Sequence, residues 1–251
     1  MKKYFIITGA SKGLGKALAE VILDEHNVLF LISRTEHGDI SRKAILKNCQ
    51  VHSISFDLAN IGGIDKLMAN LFDHIEKKDC AGIYLVNNAA VTEPVRPVDR
   101  ITADEIETNL NINYLAPALL SSAFIRLSEK MKTDKQILNI TSGAASIAHY
   151  GLSLYCSAKA ALDQFTRCVA VEQNGRPFPV KIHSLSPGFV DTQMLKGLTE
   201  KNLDDFAVRP MFEEVYRDGK AADAGHIAQR IYGLWMKGRF KHGEVSHIGE
   251  Y

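Results

Sequence analysis

The chain has 251 residues, is 46% hydrophobic and carries 30 Lys and Arg against 29 Asp and Glu, a size and balance that allow one undivided α/β domain with a large core. So even a charge argues against nucleic acid or an anionic membrane as the main partner. No apolar stretch approaches the ~20 residues of a bilayer span. Cys49, Cys80, Cys156 and Cys168 are scattered without a Cys-x-x-Cys pair, so neither a disulfide framework nor a metal site is implied, and a reducing cytoplasm fits.

An apolar run at 4–8 leads into Thr8-Gly9-Ala10-Ser11-Lys12-Gly13-Leu14-Gly15, after which Ala17, Leu18, Val21 and Ile22 recur at helical spacing. Strand, glycine turn and helix in direct succession predict a dinucleotide site. The glycines let the backbone turn tightly and approach a ligand, and the helix N-terminus offers free N–H groups to a phosphate. A second strand at 28–33 ends in Ser33-Arg34, where a Rossmann-type fold often places an acid that holds the ribose 2′-hydroxyl. With no carboxylate to repel a 2′-phosphate, and Arg34 and Lys12 available to pair with one, NADP(H) is favoured over NAD(H).

A third strand at 51–55 runs into Phe56-Asp57-Leu58, where Asp57 either accepts from the adenine amino group or caps the helical stretch at 61–77. A fourth at 81–86 delivers Asn87-Asn88-Ala89-Ala90, small residues and amides suited to a crevice at a strand's carboxyl end. Residues 103–130 predict one long helix holding Asn113 and Pro117. Proline lacks an N–H, so the Asn113 carbonyl loses its partner four residues on; the asparagine either holds a water at this kink or faces solvent.

A fifth strand at 136–140 brings Ser142 to its carboxyl end. Leu154, Ala158, Ala161, Leu162, Phe165 and Val169 then mark a helix that sets Tyr155 and Lys159 four apart on one face. A cation at about 4 Å in an effective dielectric of about 20 contributes about 4 kcal/mol. That is enough to bring a phenol two or three units below ~10, so on spacing alone Tyr155 is either a proton donor with a lowered pKa or only a phenol packed on a lysine stem. His149 reads as a pocket wall or surface residue. A sixth strand at 180–186 ends in Pro187-Gly188-Phe189-Val190-Asp191-Thr192, and the weak pattern at 193–219 suits either a lid over an apolar substrate or half-buried surface helices. A helix at 221–235 and a strand at 243–248 close the chain. The expected architecture is α/β, a single Rossmann-type doubly wound domain over 1–251, with a seven-stranded, mostly parallel sheet and helices on both faces.

In this order, Thr8-Gly9-x-x-x-Gly13-x-Gly15, Asp57, Asn87-Asn88-Ala89, Asn113, Ser142, Tyr155-x-x-x-Lys159 and Pro187-Gly188 followed by Thr192 resemble the short-chain dehydrogenase/reductase family along nearly the whole chain. Within that family, Tyr155-Cys156-Ser157-Ala158-Lys159-Ala160, Pro179-Val180-Lys181-Ile182 and the 186–192 stretch look most like the bacterial benzil reductases that form (S)-benzoin, relatives of sepiapterin reductase. The resemblance implies that Tyr155 protonates a carbonyl oxygen as hydride arrives from nicotinamide. Lys159 would lower the phenol and bind the nicotinamide ribose, Ser142 would bond the substrate oxygen, and Asn113 would hold a water linking Lys159 to solvent.

The expected NADP(H) contacts are Gly9, Ser11, Lys12, Gly13, Leu14 and Gly15, then Arg34, Asp57 and Leu58. Asn88, Ala89, Ala90, Tyr155, Lys159, Pro187, Gly188, Val190 and Thr192 complete them. The implied activity is reduction of an aromatic or apolar ketone or diketone by a homodimer or homotetramer. The alternatives are 3-oxoacyl or pteridine reduction, or NADP(H) binding without catalysis. Ala90 stands where the family usually has glycine; it would strain a turn of positive φ by roughly 1 kcal/mol, or narrow the pocket beside the nicotinamide.

Overall fold

The first strand, β1 (Lys2–Thr8), turns Tyr4 and Ile6 to one face and Phe5 and Ile7 to the other, and all four are buried. A strand apolar on both faces belongs inside a parallel sheet sandwiched by helices, and the computed structural model, which describes residues 1–35 and 38–251, has that arrangement. In chain order, α1 (Gly13–Ile22), β2 (Asn27–Ser33), α2 (Gly38–Leu46), β3 (Gln50–Ser55), α3 (Ile64–Asp73) and β4 (Cys80–Asn87) follow. Then come α4 (Ala103–Leu110), α5 (Ala116–Ser128), β5 (Asp134–Ile140), α6 (Ser153–Gln173) and β6 (Lys181–Ser186). The chain closes with α7 (Gln193–Thr199), α8 (Arg209–Arg217), α9 (Ala224–Met236) and β7 (Val245–His247).

The strand order is β3-β2-β1-β4-β5-β6-β7, with every pair parallel. The winding reverses between β1 and β4, and the carboxyl ends of these two strands therefore border a crevice. On one face α3 and α5 meet through Phe72 and Phe124, whose rings cross edge-on at 6.0 Å. On the other, Trp235 of α9 stands edge-on to Phe5 at 6.2 Å and to Tyr84 at 5.4 Å. A third apolar cluster lies above the carboxyl edge, where Leu195, Leu198, Phe206 and Phe212 of the 193–219 region pack on Leu152 and Val95.

Two elements differ from expectation. The helix expected over 103–130 is divided: α4 opens on a capping box between Thr102 and Glu105, and a π turn (Asn111–Leu115) follows in which the Ala116 N–H donates to the Asn111 carbonyl, five residues back. Pro117 then falls in the first turn of α5, where a missing N–H costs least. The helix α2 was not signalled by periodicity, because only Ile40 and Ala44 of its nine residues are buried.

Candidate active site

At the crevice, the Thr8 hydroxyl stitches the two strand ends together. It accepts from the Asn88 and Ala89 N–H groups, each at 3.0 Å, while the Asn88 amide donates to the Thr8 carbonyl at 2.9 Å. Gly9 takes a left-handed φ of +67°, which reverses the chain. A Cβ on Gly15 would lie 2.3 Å from the Gly9 carbonyl oxygen, so only glycine lets α1 start this close to β1. The first turn of α1 has no side-chain cap, and Ser11, Lys12, Gly13 and Leu14 line the adjoining cavity. Uncapped N–H groups at a helix start fit a phosphate.

Further along the same cavity are Arg34, Asp57, Leu58, Asn88, Ala89 and Ala90. The Asp57 carboxylate accepts from the Ala59 N–H at 3.0 Å, so it does cap the local turn. Lys12, expected on a 2′-phosphate together with Arg34, donates to Gln193 of α7 at 3.3 Å and stays exposed, and Arg34 is exposed at the end of β2. Ala90 has no positive φ, Asn48 being the only non-glycine described residue that does; the expected turn strain is absent, and Ala90 contributes a methyl to the cavity wall.

Ser142, Tyr155 and Lys159 converge on the middle of the cavity. Ser142 lies two residues past the end of β5, and α6 places Tyr155 and Lys159 on one face, the ammonium 5.8 Å from the phenol ring centre. Lys159 is 2% exposed, and its ammonium donates to the Ile140 carbonyl at 2.8 Å. The expected lowering of the Tyr155 phenol is not found. Burial pushes it up to about 12, against a smaller pull downward from its hydrogen bond with Ser142. The same desolvation brings Lys159 down to about 8, with Asp163 opposing. Lysine and tyrosine are crowded by the same surrounding protein, so each loses solvation of its charged form.

The Lys159 shift has a measurable sign. Between pH 8 and 10.5 the unfolded chain binds more protons than the folded one, so folding stability rises with pH through that window. Urea melts of the wild type measured against Lys159→Met are expected to diverge by about 3 kcal/mol across it, at about 1.36 kcal/mol per pKa unit. Parallel stability profiles would mean that the ammonium is not buried.

Asn113, fully buried in the π turn, does not face solvent. Its side chain accepts from the Val91 N–H at 2.9 Å and donates to the Val91 carbonyl at 2.8 Å and to Asn109 at 2.9 Å. Asn109 in turn donates to the Glu93 carbonyl at 2.7 Å. The two amides thus hold the loop after β4. The side chain is thus fully engaged with protein groups, and Pro117 deprives the Asn113 main-chain carbonyl of a partner four residues on.

Pro187, Gly188, Val190 and Thr192 line the far side of the cavity, which has a volume of about 760 Å³. On its floor lie two buried hydroxyls without a partner among the described residues, Thr141 and Ser186. Such orphaned groups fit a polar ligand. The sequence reading did not single them out, although Thr141 directly follows β5 and Ser186 ends β6, each next to a named motif where crevice residues are expected. Beyond Tyr155 the wall becomes apolar: Ile147, Leu152, Phe189, Leu198, Met211 and Phe212. Phe212 is central to it, edge-on to Phe189 at 6.1 Å and to His149 at 6.0 Å.

A doubly wound sheet with a glycine loop at its switch point and a Ser, Tyr and Lys set at its carboxyl edge defines an oxidoreductase of the nicotinamide-dependent class. Residues 3–203 match the family model for short chain dehydrogenases. The chain is 34% identical over 250 residues to a benzil reductase ((S)-benzoin forming) of Bacillus cereus, covering 99% of this chain and 100% of that one. It is 26% identical over 256 residues to sepiapterin reductase of Bos taurus, covering 98% and 93%. A solved short chain dehydrogenase/reductase from Saccharomyces cerevisiae superposes with a TM-score of 0.82 at 22% identity, over 99% of this chain and 96% of that one, and shares the fold. The chain belongs to the short-chain dehydrogenase/reductase family, whose members bind a nicotinamide cofactor.

Proposed function

We propose that this chain is an NADPH-dependent carbonyl reductase acting on an aromatic or otherwise apolar ketone or 1,2-diketone of the benzil type. The observation that carries the reading is one cavity in which Ser142, Tyr155 and Lys159 sit between a glycine loop and a wall built around Phe212. NADPH, when bound, supplies the hydride. Gly9 to Gly15 and the start of α1 hold its phosphates, Arg34 pairs with the 2′-phosphate, and the hydroxyls of Thr141 and Ser186 offer partners on the cavity floor. The Ser142 hydroxyl donates to the carbonyl oxygen of the substrate and fixes its position.

As charge develops on that oxygen, Tyr155 gives up its phenolic proton. A phenol held near 12 is fully loaded with that proton at neutral pH, and an alkoxide is a far stronger base than a phenolate, so the transfer runs downhill. Lys159, anchored by the Ile140 carbonyl, then stabilises the phenolate. The lid, α7 and α8, excludes water; Arg100 pairs with Asp205 at 2.8 Å and Lys201 with Glu93, tying it to the loops after β4.

On this reading the whole chain is one working domain in the cytoplasm. Subunits pair as a homodimer or homotetramer through the helices around Asn113 and Tyr155, where Leu115 and Leu119 are exposed. No helix among the described residues is long and apolar enough to cross a membrane. Purified protein with NADPH, offered benzil, sepiapterin and a 3-oxoacyl thioester, is expected to show its highest kcat/KM with benzil, by about tenfold or more. A preference for the thioester or the pteridine would replace the substrate class, and NADPH binding with no turnover of any carbonyl would make the protein a cofactor-binding regulator.

A further inference from the structure

A 1,2-diketone carries two carbonyl oxygens on adjacent carbons, and the Ser142 and Tyr155 hydroxyls serve only one of them. The second oxygen projects from the neighbouring carbon towards the substrate end of the cavity, where the wall is apolar. Leu152, Phe189, Met211 and Phe212 offer it no donor. An unpaired carbonyl taken out of water there would lose affinity for the substrate.

One ring nitrogen on that wall can answer. His149 lies on the loop between Ser142 and Tyr155 and lines the same cavity as their two hydroxyls. Its position is set from two directions. The His149 carbonyl accepts from the Leu152 N–H at 3.1 Å, which closes the turn before α6, and its ring stands edge-on to Phe212 at 6.0 Å. The ring is half-buried, and no hydrogen bond to it occurs among the described residues. Burial holds it below its ordinary value, so at neutral pH the imidazole is uncharged with one N–H to give. Thr92, on the loop after β4, is another cavity hydroxyl.

Resting on the proposed reduction of ketones, we propose that His149 is a specificity-determining residue: its ring N–H donates to the second oxygen of a vicinal dicarbonyl and makes the site select α-oxygenated aromatic ketones over plain ones. Phe212 orients the imidazole, and the apolar wall strengthens the bond by excluding water. A site built to bond a substrate oxygen discriminates against the analogue that lacks it, because the site's own polar group is then left unpaired.

The test compares benzil with deoxybenzoin, which keeps both phenyl rings and one carbonyl but replaces the other by a methylene. The ratio of their kcat/KM values is measured with NADPH for the wild type, His149→Leu, His149→Phe, His149→Gln and Thr92→Val. In His149→Leu and His149→Phe the benzil-to-deoxybenzoin ratio is expected to fall about tenfold, while His149→Gln, which retains an N–H, keeps most of it. Two non-donor variants are included so that misfolding of one does not remove the measurement. A ratio that stays put in both, or that moves in Thr92→Val instead, overturns the assignment while leaving the reductase reading intact. A wild type that reduces neither ketone overturns the reading and the assignment with it.

Discussion

Tyr155→Phe is expected to lower kcat for ketone reduction by about 10³-fold, within the 10² to 10⁴ that a positioned proton donor contributes. The substitution removes one oxygen and keeps the ring that α6 holds half-buried, 5.8 Å from the Lys159 ammonium at its centre. Ser142 still binds the substrate oxygen, so KM should move little; the proton is needed only as charge develops, and an interaction made only in the transition state appears in kcat. NADPH affinity, followed by fluorescence titration, should change by less than about threefold, because Arg34 and the glycine loop are untouched. A variant turning over within tenfold of the wild type would remove Tyr155 as the donor.

Burial changes the expected division of labour between Tyr155 and Lys159. Four-residue spacing alone argued for a lysine that lowers the phenol in the resting chain. In the fold, both groups are desolvated and the ammonium is occupied by the Ile140 carbonyl, so the phenol is pushed up and keeps its proton. On the proposed mechanism, the lysine's contribution then belongs to the moment after proton transfer, when a phenolate lies beside it. Spacing showed that the two side chains share a face. The dielectric they share is a tertiary property, set by strands and loops far away in sequence.

The same distinction separates what could be read along the chain from what could not. The glycine loop, Ser142 and the Pro187-Gly188 turn are legible because their chemistry is local: a positive φ at Gly9, a hydroxyl two residues past an apolar strand, a proline that stops one. Gly15 is legible as a glycine, but its reason, a Cβ that would strike the Gly9 carbonyl, emerges only when α1 folds back on β1. Asn113 was placed near a kink by Pro117, yet the π turn and the grip on Val91 depend on a partner 22 residues away. His149 has no periodic or motif signal at all. Its place on the cavity wall follows from Phe212 of α8, which packs in one apolar cluster with Leu152 and stands edge-on to the imidazole.

Arg34→Asp is expected to move the ratio of kcat/KM for NADPH over NADH by about 10²-fold towards NADH. Arg34 is exposed at the carboxyl end of β2 and lines the nucleotide end of the cavity. Lys12, the other cation considered for this role, already gives one bond to Gln193, so the proposed reading assigns the 2′-phosphate chiefly to the guanidinium. Losing one charge-assisted hydrogen bond costs about 1.5 to 3 kcal/mol on the phosphorylated cofactor. The new carboxylate adds repulsion against the phosphate and offers the unphosphorylated ribose an acceptor, the arrangement Rossmann-type sites use for NAD. Both changes push the ratio the same way, and about 3 kcal/mol corresponds to slightly more than 10²-fold at about 1.4 kcal/mol per factor of ten. The variant should remain folded, since an exposed side chain at a strand end contributes little to stability. Steady-state rates with each cofactor at saturating benzil would measure the shift, and an unchanged ratio would assign the 2′-phosphate to other residues.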